Sequence, residues 1–198
     1  MLVRADGYTL AAWVILALSW LGFGAIALLG QKGAAPGARK RATASRLGFL
    51  LQCGAYAIVF AFRRHDFPAL VPSSRASEAP LFAAIVTLVA VSEWFCLAAA
   101  RALGKQWALV ARVIDDHQLI QRGPYAVVRN PIYLAMFGNL LATALAFGTW
   151  PGLLAAAALF TTGTVIRIRS EERLLREAFG EKFEEYARRV PAFIPKIG

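Results

Sequence analysis

Apolar residues in this 198-residue chain gather in long blocks separated by short charged segments. Tyr8 to Gly30 is 23 residues without a charge, and at 1.5 Å per residue it can cross a hydrocarbon core of about 30 Å. Leu47 to Phe62 is a shorter uncharged run, and Ala79 to Ala100 holds only Glu93. The 35 uncharged residues from Ile132 to Ile166 would measure about 50 Å as one helix, too long for a single crossing. Gly148-Thr149-Trp150-Pro151-Gly152 divides them, with Thr149 placed to cap and Pro151 to open the next helix. The pattern predicts an all-α, polytopic membrane protein with about five transmembrane helices. They fall at 8–30, 47–62, 79–103, 132–148 and 151–170, and the last two form a tight hairpin with rather short arms. A short helix in the 171–198 tail completes a single membrane domain over residues 1–198.

Composition agrees: 58% of residues are hydrophobic, and the mean hydropathy of +0.53 exceeds that of a soluble domain of this length. The first block is too long, and its Arg4 and Asp6 flank too weakly charged, for a cleavable signal peptide. Cys53 and Cys96 lie far apart inside apolar runs, which points to inert thiols and to no metal site. The net charge of +10 invites a nucleic-acid reading that its distribution opposes. With five spans, the 31–46 loop, the 101–131 loop and the chain from Arg167 onward share one side and hold 18 of the 22 Lys and Arg. This is the positive-inside pattern. It predicts an outer N-terminus, a cytoplasmic tail, contact with anionic membrane lipid and no nucleic-acid partner.

Gly22, Gly24 and Ala27 mimic a dinucleotide fingerprint, but they lie inside a membrane helix and follow no strand, so close helix packing accounts for them. Gly33, Pro36 and Gly37 before Arg39-Lys40-Arg41 read as a flexible basic linker, and the 63–80 loop as an outer connection without chemistry. Glu93 sits well inside an apolar run, a costly position. It borders either a cavity for a substrate or a neighbouring helix to which a neutral carboxyl bonds, with Gln52 and Asn139 as candidate partners. In the tail, Arg167 with Glu171 and Glu172 with Arg176 have helix ion-pair spacing. Gly180 is placed to end that helix, and a second one puts Phe183, Tyr186 and Val190 on one face before Pro191.

Trp107, His117-Gln118-Leu119-Ile120, Gly123-Pro124-Tyr125, Arg129-Asn130-Pro131-x-Tyr133, Glu171-Glu172, Phe179-Gly180, Tyr186 and Val190-Pro191 form an ordered set over residues 101–195. In that order they resemble the integral-membrane methyltransferases of the isoprenylcysteine carboxyl methyltransferase and phospholipid N-methyltransferase group. The resemblance implies S-adenosylmethionine as methyl donor, with S-adenosylhomocysteine as product, held within residues 117–195 at the cytoplasmic end of the last two spans. The binding residues it implies are His117, Leu119, Gly123, Tyr125, Asn130, Pro131, Tyr133, Glu171 and Glu172. Asn130 stands where the eukaryotic enzymes usually carry histidine; it keeps a donor and an acceptor but no titrating proton.

The residue types suit that chemistry. Glu171 or Glu172 can meet the donor's ammonium group, and Arg129 can grip a carboxylate bidentately. Arg129 and Glu172 are therefore the candidate catalytic pair, with Arg129 and Glu93 as candidate substrate contacts. Tyr125 and Tyr133 offer ring faces and hydroxyls. A carboxylate acceptor needs no general base, which favours carboxyl O-methylation of a lipophilic, isoprenylcysteine-like partner from the bilayer. An amino lipid, a phenol and a small thiol stay open. Singly, these residues have ordinary accounts as a turn, a topology anchor, an aromatic belt and a solvated pair. From other classes, a small transporter subunit suits Glu93, Gln52 and Asn139, and a non-catalytic scaffold suits the charged tail.

Overall fold

The computed structural model describes residues 7–32, 40–41, 44–63, 78–106, 112–113 and 118–195. Six helices follow in chain order: α1 (Gly7–Lys32), α2 (Ala44–Ala61), α3 (Glu78–Leu103), α4 (Pro131–Phe147), α5 (Trp150–Phe179) and α6 (Glu181–Arg189). Among the described residues the only strands are a two-residue antiparallel pair, Lys40–Arg41 against Arg112–Val113, which joins the two basic loops. The protein is thus an all-α membrane protein. Three of its helices (α1, α3 and α5) are long and apolar enough to cross a membrane, while α2 and α4 are shorter apolar helices. Large lipid-compatible side chains such as Leu10, Leu21, Trp94 and Leu154 stay exposed on the bundle surface, as expected where the solvent is hydrocarbon.

The hairpin forms where the sequence places it. Thr149 caps α5, its side chain accepting from the Gly152 amide at 3.4 Å, and Pro151 occupies the first turn, where no amide donor is needed. The same turn is tied to the end of α2, since the Thr149 amide donates to the Phe62 carbonyl at 3.1 Å. The last span and the charged segment after it form one helix, as α5 runs for 30 residues from Trp150 to Phe179. Gly180, at φ +52°, then supplies a backbone conformation that other residues rarely adopt, and the chain reverses into α6. Phe183 and Tyr186 of α6 are buried against the bundle.

Packing pairs α2 with α5 and α3 with α4, while α1 leans on α3. The α2–α5 contact brings backbones together at Gly48 and Gly163: a Cβ on Gly163 would lie 2.6 Å from the Gly48 carbonyl oxygen. Small residues permit such approaches where there is no water to drive helices together. On α1, Gly22 faces the Glu93 carboxylate, whereas Gly24 meets nothing within 4 Å, so of these two only Gly22 serves close packing. Two apolar cores result. One joins Leu16, Ile85, Val89 and Phe147; the other joins Val59, Leu140, Leu153 and Phe160.

Candidate functional site

Between the end of α3 and the α5–α6 corner lies an open cleft with a cavity volume of about 60 Å³. Five elements build it. Leu103 closes the end of α3, and the extended segment Gln118–Ile120 runs beside it, with the Gln118 amide bonded to the Gln106 side chain. A 3-10 turn over Gly123–Ala126 follows, opened by Gly123 at φ +62° and Pro124. It buries Tyr125 and delivers Arg129 and Asn130 to the start of α4, where Pro131 occupies the first turn. Glu172 and Leu175 of α5, with Phe183 and Tyr186 of α6, form the opposite wall.

Arg129 is the hub. Its Nε and Nη2 lie 2.9 and 2.8 Å from Glu172 Oε1. Nη1 donates to the Ala187 carbonyl at 3.0 Å and also to the Val190 carbonyl. The Arg129 amide takes the Pro191 carbonyl at 2.9 Å, and Asn130 Nδ2 takes the Ala192 carbonyl at 2.8 Å. These two residues therefore clasp the end of α6 and the chain after it against α5. Glu172 Oε2 meets Arg176 at 3.4 Å, and both guanidinium groups approach the Phe183 ring, at 5.9 and 5.1 Å. The Arg129 and Glu172 side chains are 11% and 8% exposed, so this is a nearly dry ion pair. Among the described residues, the second Nη2 proton of Arg129 has no hydrogen-bond partner.

Tyr186 is a second fastening. Its hydroxyl donates to the Tyr125 carbonyl at 2.6 Å, and burial pushes its pKa up to about 12. Burial likewise lifts the Tyr125 phenol well above the usual tyrosine range. The raised value means that this fastening is complete below the ordinary tyrosine pKa of about 10 and is lost as pH rises through about 12. Tyr186→Phe is expected to lower tail stability by about 1 kcal/mol, with no change in melting temperature between pH 6 and 9 beyond that of the wild type. A thermal-melt series in detergent across that range measures both.

Of the residues singled out from the sequence, Leu119, Tyr125, Arg129, Asn130 and Glu172 line the cleft. Gly123 and Pro131 shape its backbone. His117 and Trp107 lie outside the described residues. Tyr133 and Glu171 belong to a separate buried network: the Tyr133 hydroxyl donates to Glu171, whose Oε1 is 3.6 Å from Arg167 Nε. Arg167 stacks over the Tyr133 ring at 5.0 Å and donates to Gln52 of α2 at 3.2 Å, and Gln52 donates to Thr164 at 2.9 Å. Arg167 is therefore turned into the bundle, not out to the interface. Glu93 is farther still, ten residues and about 15 Å up α3 from Leu103. It is bonded to Ser19 of α1 at 2.6 Å, and Ser19 also meets Asn139 at 3.2 Å. Asn139, a candidate partner of Glu93, meets it only through Ser19, and nothing in sequence says that α1 lies beside α3. Gln118, Ile120 and Tyr186 of the ordered set line the cleft as well, together with Leu103 and Leu175; the last two are apolar residues without motif character, and only the fold reveals them.

The described residues bring together no group of three His, Cys, Asp or Glu able to hold a metal ion. What the cleft offers is aromatic and aliphatic walls, two amides and a carboxylate balanced by guanidinium groups. That set suits a flat heteroaromatic ring with a charged polar arm.

Comparison with known proteins gives the same answer from a different direction. Over 100 residues the chain is 37% identical to the cobalt-zinc-cadmium resistance protein CzcN of Cupriavidus metallidurans, covering 48% of this chain and 44% of that protein. Over 82 residues it is 35% identical to the protein-S-isoprenylcysteine O-methyltransferase of Schizosaccharomyces pombe, covering 41% and 35%. A protein-S-isoprenylcysteine O-methyltransferase B of Arabidopsis thaliana is 29% identical over 83 residues, 42% of each chain. The chain spans less than half the length of these relatives. Residues 81–182 match the phospholipid methyltransferase family model, a stretch that runs from the start of α3 to the start of α6 and takes in most of the cleft's walls. With that match extending over just over half of its residues, the chain belongs to the phospholipid methyltransferase family of membrane methyltransferases.

Proposed function

We propose that this protein transfers a methyl group from S-adenosylmethionine to a lipophilic acceptor, and that the acceptor group is a carboxylate on an isoprenylcysteine-like molecule. The observation that carries the reading is the cleft beside Arg129, Asn130 and Glu172, inside the family-matched segment and at the end of the bundle. The donor supplies an electrophilic methyl group on a positively charged sulfur. Leu103, Leu119 and Ile120 with the Tyr125, Phe183 and Tyr186 rings supply an apolar, aromatic slot for its base. Gln118 and Asn130 offer amide hydrogen bonds that can read the edge of that base. Glu172, held between Arg129 and Arg176, presents a fixed carboxylate to hydroxyl or ammonium groups. His117 and Gly123 belong to the same region by sequence order.

The residues required for methyl transfer are those that hold two partners in line, since displacement at a methyl group gains most from alignment. The clasp made by Arg129 and Asn130 fixes the α6 wall, and the remaining Nη2 proton of Arg129 can orient a carboxylate. No proton has to be removed from a carboxylate acceptor. The proposed topology has the cleft on the cytoplasmic side of a bacterial inner membrane, with the acceptor arriving laterally from lipid. The relatives named for metal resistance do not alter this reading.

For Glu93 the proposed role is to hold α1 against α3 and α4. Glu93→Gln keeps the bond to Ser19, so the affinity for S-adenosylhomocysteine is expected to stay at the wild-type value. A loss of binding would place Glu93 in the site after all. The reading as a whole is tested by incubating the reconstituted protein with methyl-labelled S-adenosylmethionine and membrane lipid extract. Base-labile label in an extractable product is expected for a methyl ester, base-stable label for an amine or thioether, and the absence of transfer opposes the reading.

A further inference from the structure

We infer that the segment after α6, Val190 to Pro195, is a strap inserted into the membrane interface, so that the outer wall of the cleft is anchored in lipid as well as by the clasp. The segment is uncharged over six residues and follows Arg188 and Arg189, the arrangement of an apolar stretch held at a headgroup boundary by cations.

Its backbone is prepared for that position. Irregular chain near hydrocarbon needs its polar groups satisfied within the protein. The Val190, Pro191 and Ala192 carbonyls are taken by Arg129 Nη1, the Arg129 amide and Asn130 Nδ2. Pro191 and Pro195 carry no amide proton to satisfy.

The side chains point the same way. Phe193 stacks edge-on against Phe137 with ring centroids 5.8 Å apart, and Phe137 packs against Phe160 of α5 at 5.6 Å. Phe137 is six residues into α4, about 9 Å beyond its first residue, so the Phe193 ring lies beside the apolar part of the bundle. Ile194, next to it, is 72% exposed, more than any other large hydrophobic among the described residues. On α6, Arg188 and Glu181 pair at 3.0 Å and are well exposed. The occupant that fits an isolated apolar side chain adjoining a membrane helix is lipid acyl chain and headgroup boundary, not water.

The test uses the full chain in nanodiscs with Cys53→Ser, which removes the exposed cysteine and leaves Cys96 buried. An environment-sensitive fluorophore is attached at Ile194→Cys, with Arg188→Cys as the water-facing control and Leu154→Cys as the span control. The expected result is blue-shifted emission at Ile194→Cys, quenched by shallow acyl-chain nitroxides and shielded from iodide, matching Leu154→Cys and opposite to Arg188→Cys. Iodide quenching without nitroxide quenching would place the strap in water and overturn the inference. Shielding from both would show that protein covers it, and would overturn it equally. The outcome does not depend on the methyl donor, so this inference and the proposed function stand or fall separately.

Discussion

Arg129→Ala is expected to lower stability by about 3–5 kcal/mol, because it strips the partner from a carboxylate that is almost fully buried. Glu172 keeps only Arg176, at 3.4 Å, and the Ala187 and Val190 carbonyls lose their donor. The tail wall should then detach, and binding in the cleft should go with it. Arg129→Lys separates charge from geometry: a single ammonium can meet Glu172 but cannot reach two carbonyls as well. It should therefore recover part of the melting temperature and little of the binding. Melting in detergent, with protease cleavage after residue 180 as a readout of tail release, measures these effects. A wild-type melting temperature and an intact tail in Arg129→Ala would remove the clasp from the account.

Gly163→Ala is expected to be nearly as damaging although it adds one methyl group. Its Cβ would sit 2.6 Å from the Gly48 carbonyl oxygen, 3.0 Å from Leu51 Cβ and 3.2 Å from the Gln52 amide nitrogen. Two of these are backbone atoms, so the whole of α2 must move away from α5. Overpacking of this kind costs about 1–3 kcal/mol. Separation also stretches the Gln52–Thr164 and Arg167–Gln52 bonds, now 2.9 and 3.2 Å, each contributing about 1 kcal/mol. The expected total is about 3 kcal/mol, a sum in which the terms are coupled. Gly24→Ala, on a face that meets nothing within 4 Å, is the matched control and should leave the melting temperature unchanged. Equal melting of the two variants would mean that the α2–α5 contact is not the close one described.

These two sites mark where sequence is informative and where it is not. Thr149, Pro151 and Gly180 act within a few residues of themselves, through caps and backbone freedom, so the hairpin and the α5–α6 corner are legible from local pattern. The order of charged and uncharged stretches gives the helices in the same way. The ion pairs at helix spacing, Arg167 with Glu171 and Glu172 with Arg176, were also local and are present. What the chain does not announce is which helix stands beside which. Gln52 looked like a partner for Glu93, yet it faces α5 and holds Arg167, while Glu93 faces α1 and Ser19. Arg129 and Glu172 were picked out as separate grips for separate charges, and their pairing across 43 residues follows only from the packing of α4 and α5. The charges after Ile166 mark the end of the apolar run and not of the helix, and Gly180 is the local signal for where α5 stops.

The most direct test of the central claim is calorimetric titration of S-adenosylhomocysteine into the protein in nanodiscs, beside Leu175→Trp. Leu175 lines the cleft without taking part in the clasp, so a larger side chain there fills the space and leaves the tail held. The account predicts saturable binding at one site per chain in the wild type and none in Leu175→Trp at an unchanged melting temperature. No binding to a folded wild type, or equal binding to both, would contradict it.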